Sequence, residues 1–214
     1  MMKYINLETY PRRSHYEFFK AMAYPYMGLT ANVDVTRPVQ AAKEMGGSPF
    51  LACLWTAANA ANRVSEFRQR IVEDKIVEFD HCDTSHTVAR DNDVFGACRT
   101  DCRMSFAQFQ QYGKAQQEAA KKGTGFVSPG TDETSLIFVS CVPWVSFTQC
   151  IQPVPIPADS NPRIVFGKFI PEGDKLMMPL HIQCNHALVD GIHLAHFYQA
   201  FEEIAASVQQ KGHQ

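Results

Sequence analysis

Apolar and polar residues alternate over residues 175–185, which predicts a β-strand with one apolar face. The apolar positions are Leu176, Met178, Leu180, Ile182 and Cys184. His186 continues the same alternation at the end of the strand. Beyond Asp190-Gly191 the apolar residues recur every three or four positions, which predicts a helix over 191–208 with Asp190 as its N-cap. The pattern therefore places an inward-pointing imidazole where a strand gives way to a helix.

The same reading predicts the other elements. Helices are expected from residue 14 to 22, with Ser14 and Glu17 as a capping box, and over 36–45, 48–61 and 105–122. Strands are expected over 29–36, 70–78 (a hairpin), 86–88, 136–142 and 163–170, the last forming a hairpin with 175–186. Residues 89–102 are predicted to be irregular, residues 123–134 a loop, and residues 152–162, with four prolines, a rigid connection.

These elements mix helices and strands without a regular βαβ alternation. We therefore expect an α/β fold of the two-layer α+β kind, in which helices pack on one face of a mixed, largely antiparallel sheet. The length of 214 residues suits a single domain spanning 1–214.

Composition and charge indicate which kinds of binding partner to expect. Apolar residues make up 45% of the chain, charged residues 20%, and the net charge is −2. A globular protein without affinity for nucleic acid or acidic membranes is expected. The N-terminus lacks the apolar core of a signal peptide, and the apolar run over 50–61 is too short to span a bilayer. Seven cysteines, an odd number, indicate reduced thiols and a cytoplasmic protein.

His186 and Ser140 are the residues that could carry chemistry. A neutral imidazole can take a proton near neutral pH, so His186 could strip a hydroxyl as its oxygen attacks a carbonyl; the alternative is a core histidine beside a helix cap. Ser140 shares its strand face with Phe138 and Val142, so we expect its hydroxyl to lie among apolar side chains. It could donate to an oxyanion or bond a neighbouring carbonyl. A nucleophilic role is disfavoured because no G-x-S-x-G motif surrounds it.

Two further pairs of polar residues can be interpreted either as structural or as functional. Arg12 and Asp190 could form an ion pair, or could be a surface arginine and a helix cap. His193 and His196 have a spacing found in zinc sites, but without a nearby carboxylate or C-x-x-C the polar face of the last helix explains them better. The sequence contains neither of the common phosphate-binding glycine motifs.

Longer stretches resemble one enzyme family. Residues 138–148 read Phe-Val-Ser-Cys-Val-Pro-Trp-Val-Ser-Phe-Thr, residues 173–180 read Gly-Asp-Lys-Leu-Met-Met-Pro-Leu, and residues 186–191 read His-Ala-Leu-Val-Asp-Gly. Together with Tyr-Pro-Arg-Arg-Ser-His-Tyr-Glu-Phe-Phe at 10–19, they closely resemble the chloramphenicol acetyltransferases over essentially the whole chain. The H-x-x-x-D-G element alone is shared with dihydrolipoyl acyltransferase cores and peptide-synthetase condensation domains.

The resemblance implies an acetyl-CoA-dependent O-acetyltransferase without a metal, acting as a trimer whose sites lie between subunits. His186 would be the general base, Ser140 would bind the oxyanion, and Asp190 paired with Arg12 would hold the histidine loop. Two further groups of residues would bind substrates. The coenzyme channel would contain Trp144, Lys168 and Phe169, and the pocket for a small hydroxyl acceptor, with chloramphenicol the leading candidate, would contain Phe19, Tyr24, Pro25, Met27 and Phe95.

The chain also departs from the family pattern. Asn185 replaces the first histidine of the family's usual His-His pair, and Val142 stands where the family often has an asparagine. Val165 replaces a threonine and Phe169 replaces a tyrosine. Pro25 and Met27 alter the wall of the acceptor pocket. Two alternatives therefore stay open: an acyltransferase for another alcohol or amine, and a CoA-binding homologue without full activity. A metal hydrolase is the most distant alternative.

Overall fold

The computed structural model describes residues 1–123 and 132–209. Its helices are α1 Arg13–Lys20, α2 Thr36–Glu44, α3 Pro49–Arg63, α4 Phe106–Lys121 and α5 Gly191–Ser207. Its strands are β1 Met2–Tyr4, β2 Tyr26–Asp34, β3 Gln69–Val72, β4 Lys75–Phe79, β5 Thr84–Ala89, β6 Phe95–Thr100, β7 Ile137–Cys141, β8 Arg163–Phe166, β9 Ile170–Glu172 and β10 Lys175–Asn185.

The strands form two sheets. The larger sheet has the order β2-β10-β8-β7-β5-β6, with β9 also paired to β10, and the smaller has the order β1-β4-β3. Strand β7 runs parallel to β5 and to β8, while the other pairs are antiparallel. The predicted α/β architecture with a mixed, largely antiparallel sheet is therefore confirmed.

One face of β10 forms the centre of the core. Met178, Leu180, Ile182 and Cys184 are each at most 1% exposed and cluster with residues of α3 and α5. Helix α3 begins at Pro49 after the N-cap Ser48, and its buried alanines leave little bulk between helix and sheet. Full burial of a leucine or isoleucine side chain is worth about 1.5–3 kcal/mol, so this face fixes the register of β10 and the position of the residue that follows it.

The opposite face of the large sheet carries polar side chains. Strand pairing aligns Thr30 with His181 and Gly28 with Gln183 across β2 and β10. It also aligns Val165 with both His181 and Ser140. Because Ile137 and Val139 belong to the helix-packed core, period two places Ser140 on this other face. Ser140 is half-buried there, so its side chain is less buried than the neighbouring apolar residues of the strand had led us to expect.

Several predicted boundaries differ from the structure. Residues 89–102 contain β6, which was expected to be irregular; its buried positions are the small or weakly apolar Gly96, Cys98 and Thr100, so the alternation is faint. Helix α1 begins at Arg13 and has no side-chain N-cap bond, so the predicted capping box at Ser14 does not form.

Further predictions concern the loop, the membrane and the cysteines. Residues 124–131 of the predicted loop lie outside the described residues. Across the described residues, no helix is long and apolar enough to cross a membrane. The seven cysteines are all free thiols.

Candidate active site

His186 is the first residue after β10 and is held from two sides. Its backbone N–H donates to the carbonyl oxygen of Pro25 at 2.7 Å. Its ring stacks on Phe19, with ring centroids 3.8 Å apart and an interplanar angle of 24°. The side chain is half-buried. The stacking partner restricts the orientation of the imidazole, as a proton acceptor in a shaped site requires.

The hydrogen bond of His186 determines which ring nitrogen carries the proton. Nδ1 lies 2.8 Å from the carbonyl oxygen of Val189. A carbonyl only accepts, so in the neutral ring Nδ1 bears the hydrogen and Nε2 keeps its lone pair. Nε2 can therefore accept a proton from an incoming hydroxyl. The sequence alone did not reveal Val189, because its contribution is a backbone atom.

Arg12 and Asp190 meet beside His186, as the family resemblance implied. Arg12 Nη1 lies 3.3 Å from Asp190 Oδ2, and Arg12 Nη2 donates to the carbonyl oxygen of His186 at 3.4 Å. The Asp190 carboxylate accepts from the Gly191 N–H, and this bond together with Arg12 lowers the pKa of Asp190. Asp190 is thus ionised at neutral pH and ties the start of α5 to α1 and to the histidine loop.

Ser140 lines a different cavity, of about 740 Å³. Its Oγ lies 3.5 Å from Thr87 Oγ1, which is too long for a strong O–H···O hydrogen bond. The hydroxyl therefore remains available as a donor to a bound ligand. Thr87 was not identified from the sequence, although the predicted strand at 86–88 contained it.

The three residues expected to bind coenzyme lie close together at the ends of β7 and β8. Trp144 is 78% exposed and lines the Ser140 cavity. The Lys168 N–H donates to the Val145 carbonyl at 2.9 Å, which joins the two segments. Phe169 lines a smaller apolar cavity of about 110 Å³ instead.

The residues expected to bind the acceptor are divided between three places. Phe19 and Pro25 contact His186. Tyr24 and Met27 line a cavity of about 540 Å³ on the polar face of the sheet. Phe95 lines the Ser140 cavity. Within one chain, therefore, the predicted acceptor residues do not surround a common space.

His186 and Ser140, the two residues expected to carry the chemistry, are also far apart within one chain. Ser140 aligns with Val165, and Val165 aligns with His181. His186 lies five residues beyond His181, so at about 3.3 Å per residue it is displaced by about 16 Å along the strand direction. A single reacting carbonyl cannot contact both side chains of one copy.

The histidines considered as metal ligands have other roles. His193 Nδ1 accepts the Asp190 N–H in the capping box of α5, and His196 is exposed. The group in the described residues with metal-ligand spacing is His81, Asp83 and Asp101, which was not considered. Its carboxylates are already paired with exposed arginines, Asp83 with Arg99 and Asp101 with Arg103.

Comparison with known proteins identifies the family of this chain. The family model described as chloramphenicol acetyltransferase matches residues 1–202. The chain belongs to the chloramphenicol acetyltransferase family. It is 26% identical to chloramphenicol acetyltransferase 3 of Escherichia coli over 94% of this chain and 96% of that protein. It is 28% identical to a chloramphenicol acetyltransferase of Clostridium perfringens over 95% of this chain and 98% of that protein.

Solved structures agree with this membership. A chloramphenicol acetyltransferase structure superposes with a TM-score of 0.88 and 27% identity, covering 96% of this chain and 100% of that one. A probable dihydrolipoamide acetyltransferase from Listeria monocytogenes shares the fold with a TM-score of 0.68 at 17% identity, covering 99% of this chain and 97% of that one. The chain is an acyltransferase of the family whose members transfer an acyl group to a small-molecule acceptor.

Proposed function

We propose that this single-domain protein, spanning 1–214, transfers the acetyl group of acetyl-CoA to a hydroxyl of a small molecule, with chloramphenicol the leading acceptor. The observation that carries the proposal is the His186 Nδ1···O contact with Val189 at 2.8 Å. It leaves Nε2 as a free acceptor in a half-buried site, which is the state a general base needs.

The reaction follows from these atoms. Nε2 of His186 takes the proton of the acceptor hydroxyl while the acceptor oxygen attacks the thioester carbonyl carbon. The carbonyl oxygen becomes an oxyanion, to which Ser140 donates a hydrogen bond. The tetrahedral intermediate collapses, the C–S bond breaks, and the CoA thiolate takes the proton from the imidazolium. The products are the acetyl ester and CoA thiol, and His186 is neutral again without an acyl-enzyme.

Binding of the coenzyme is assigned to Trp144, Lys168 and Phe169. Lys168 is exposed and would supply a cation for a phosphate group. The broadly exposed indole of Trp144 offers an apolar surface for the pantetheine arm. No metal takes part in the proposed reaction, because the base and the oxyanion donor are both side chains of the protein.

The active site is proposed to form between copies of the chain in a homotrimer. The displacement of about 16 Å between His186 and Ser140 along the sheet supports this arrangement. In a head-to-tail ring, His186 of one copy meets Ser140 of the next, and each interface is the same heterologous contact. The acceptor residues, divided between several places in one chain, would then surround a single pocket.

Several residues near the proposed site differ from the family pattern. Val165, beside Ser140, is buried and offers no hydroxyl to a ligand, and Pro25 and Met27 change the acceptor wall relative to the family pattern. These features favour testing other alcohols and amines beside chloramphenicol. They also motivate the alternative of a CoA-binding homologue with weakened catalysis. A cytoplasmic location, where acetyl-CoA is made, fits the proposal.

Thiol release tests the function directly. Purified protein with acetyl-CoA should release CoA thiol at a rate that increases with added chloramphenicol, and mass spectrometry should detect the acetyl ester. The seven cysteines consume thiol reagents, so a reaction without acetyl-CoA is the control. Acceptor-dependent release with another alcohol but not with chloramphenicol would move the proposal to that acceptor. Binding of acetyl-CoA without release for any acceptor would favour the non-catalytic alternative.

A further inference from the structure

Asn185 lies at the end of β10, directly before His186, and is 3% exposed. Its side-chain oxygen accepts the N–H of Ala187 at 3.0 Å. Its backbone oxygen accepts the N–H groups of Leu188 at 3.1 Å and Val189 at 3.0 Å. Asn185 therefore makes three of the hydrogen bonds that hold the turn 185–189. The carbonyl oxygen of Val189, the last residue of this turn, accepts the hydrogen bond from Nδ1 of His186.

The other side of the Asn185 amide anchors this turn to the proline-rich connection. Nδ2 of Asn185 donates to the carbonyl oxygen of Asp159 at 2.8 Å. Asp159 is itself fixed, because its carboxylate accepts two hydrogen bonds from Arg163, at 2.8 and 2.6 Å. The hydroxyl of Tyr26 also donates toward Asp159 at 3.0 Å. Asp159 is thus a fixed attachment point for the Asn185 side chain, outside the turn 185–189.

We infer that Asn185 is a positioning residue, which fixes the tautomer and orientation of His186 by holding the turn 185–189 against Asp159. This inference rests on the proposed function for its effect on rate, but its structural content does not. Asn185 does not touch the reacting atoms. It acts through the Val189 carbonyl. Without the amide side chain, the turn keeps its two bonds to the backbone oxygen of residue 185 but loses those to Ala187 and Asp159. The Val189 carbonyl can then shift away from Nδ1, after which the proton can move to Nε2 and block the base.

Asn185→Ala tests the inference. We expect kcat to fall roughly tenfold to a hundredfold, the scale of a small misplacement of a catalytic group, with the KM for acetyl-CoA little changed. Nitrogen-15 NMR of the histidine rings, assigned with His186→Ala, should show the Nδ1–H tautomer of His186 in the parent protein and a mixture with the Nε2–H form in the variant.

Asn62→Ala is the matched control. Asn62 on α3 also accepts a backbone N–H, that of Cys82 at 2.8 Å, and donates to the Cys82 carbonyl at 2.9 Å, but it does not contact the turn 185–189. It should lower thermal stability while leaving kcat and the His186 tautomer unchanged. If Asn185→Ala does not fold, Asn185→Asp, which keeps the acceptor for Ala187 and loses the donor to Asp159, takes its place with the same expectation.

The outcomes separate the inference from the proposed function. A folded Asn185 variant with the Nδ1–H tautomer of the parent protein overturns the positioning role, whatever the rates are. If the parent protein transfers no acetyl group and the Asn185 variant still changes the tautomer, the positioning role is supported and the proposed function is rejected. A tautomer change together with a lower kcat supports both.

Discussion

Replacing His186 by alanine should lower kcat by at least about a hundredfold, the scale of general base catalysis. In the proposed reaction the imidazole takes the hydroxyl proton at Nε2, because Nδ1 is occupied by the contact with the Val189 carbonyl. Without it, the proton must go to water. Steady-state thiol release with acetyl-CoA and the acceptor measures the change, and the KM for acetyl-CoA should stay close to that of the parent protein.

His196→Ala is the control for this prediction. His196 is exposed on α5, so its removal should leave kcat unchanged. The His186 variant also loses the ring stacked on Phe19, and circular dichroism must show that it keeps its fold. A folded His186→Ala protein with nearly the parent turnover would remove His186 from the role of base.

Replacing Ser140 by alanine should lower kcat roughly a hundredfold to a thousandfold, as the loss of one oxyanion donor does. The hydroxyl is weakly engaged with Thr87 at 3.5 Å, so it can turn toward an oxyanion at little cost. Since the oxyanion exists only in the reaction, binding of acetyl-CoA should be almost unaffected. Turnover and the equilibrium binding of acetyl-CoA are the two measurements.

Ser207→Ala, at the end of α5, is the control for Ser140 and should behave as the parent protein. Mass spectrometry after incubation with acetyl-CoA and no acceptor separates an oxyanion donor from a nucleophile. We expect no acetyl group on Ser140. A stoichiometric acetyl-Ser140 would replace direct transfer by a two-step reaction.

The strand β10, the helix α5 and the position of His186 between them could be predicted from the sequence, because an apolar face packed in the core imposes a period of two on a strand and of 3.6 on a helix. The Arg12–Asp190 pair needed the family resemblance, since 178 residues separate its members. Strand β6 could not be predicted because its buried positions are small or weakly apolar.

The face on which Ser140 lies was also beyond the sequence. Residues on both sides of β7 are apolar, so the pattern does not distinguish the face packed on helices from the one that is not. The Asn185 side chain and the His186 ring both bond backbone carbonyls, those of Asp159 and Val189. A pattern of side chains does not encode them.

Subunit complementation tests the central claim, that His186 and Ser140 of different copies form one site. His186→Ala and Ser140→Ala chains are unfolded together in equal amounts and refolded, beside each variant refolded alone. Random mixing in a ring should restore about a quarter of the parent activity, because one site in four receives both intact side chains. Activity of the mixture that stays at the mean of the two variants would contradict a shared site.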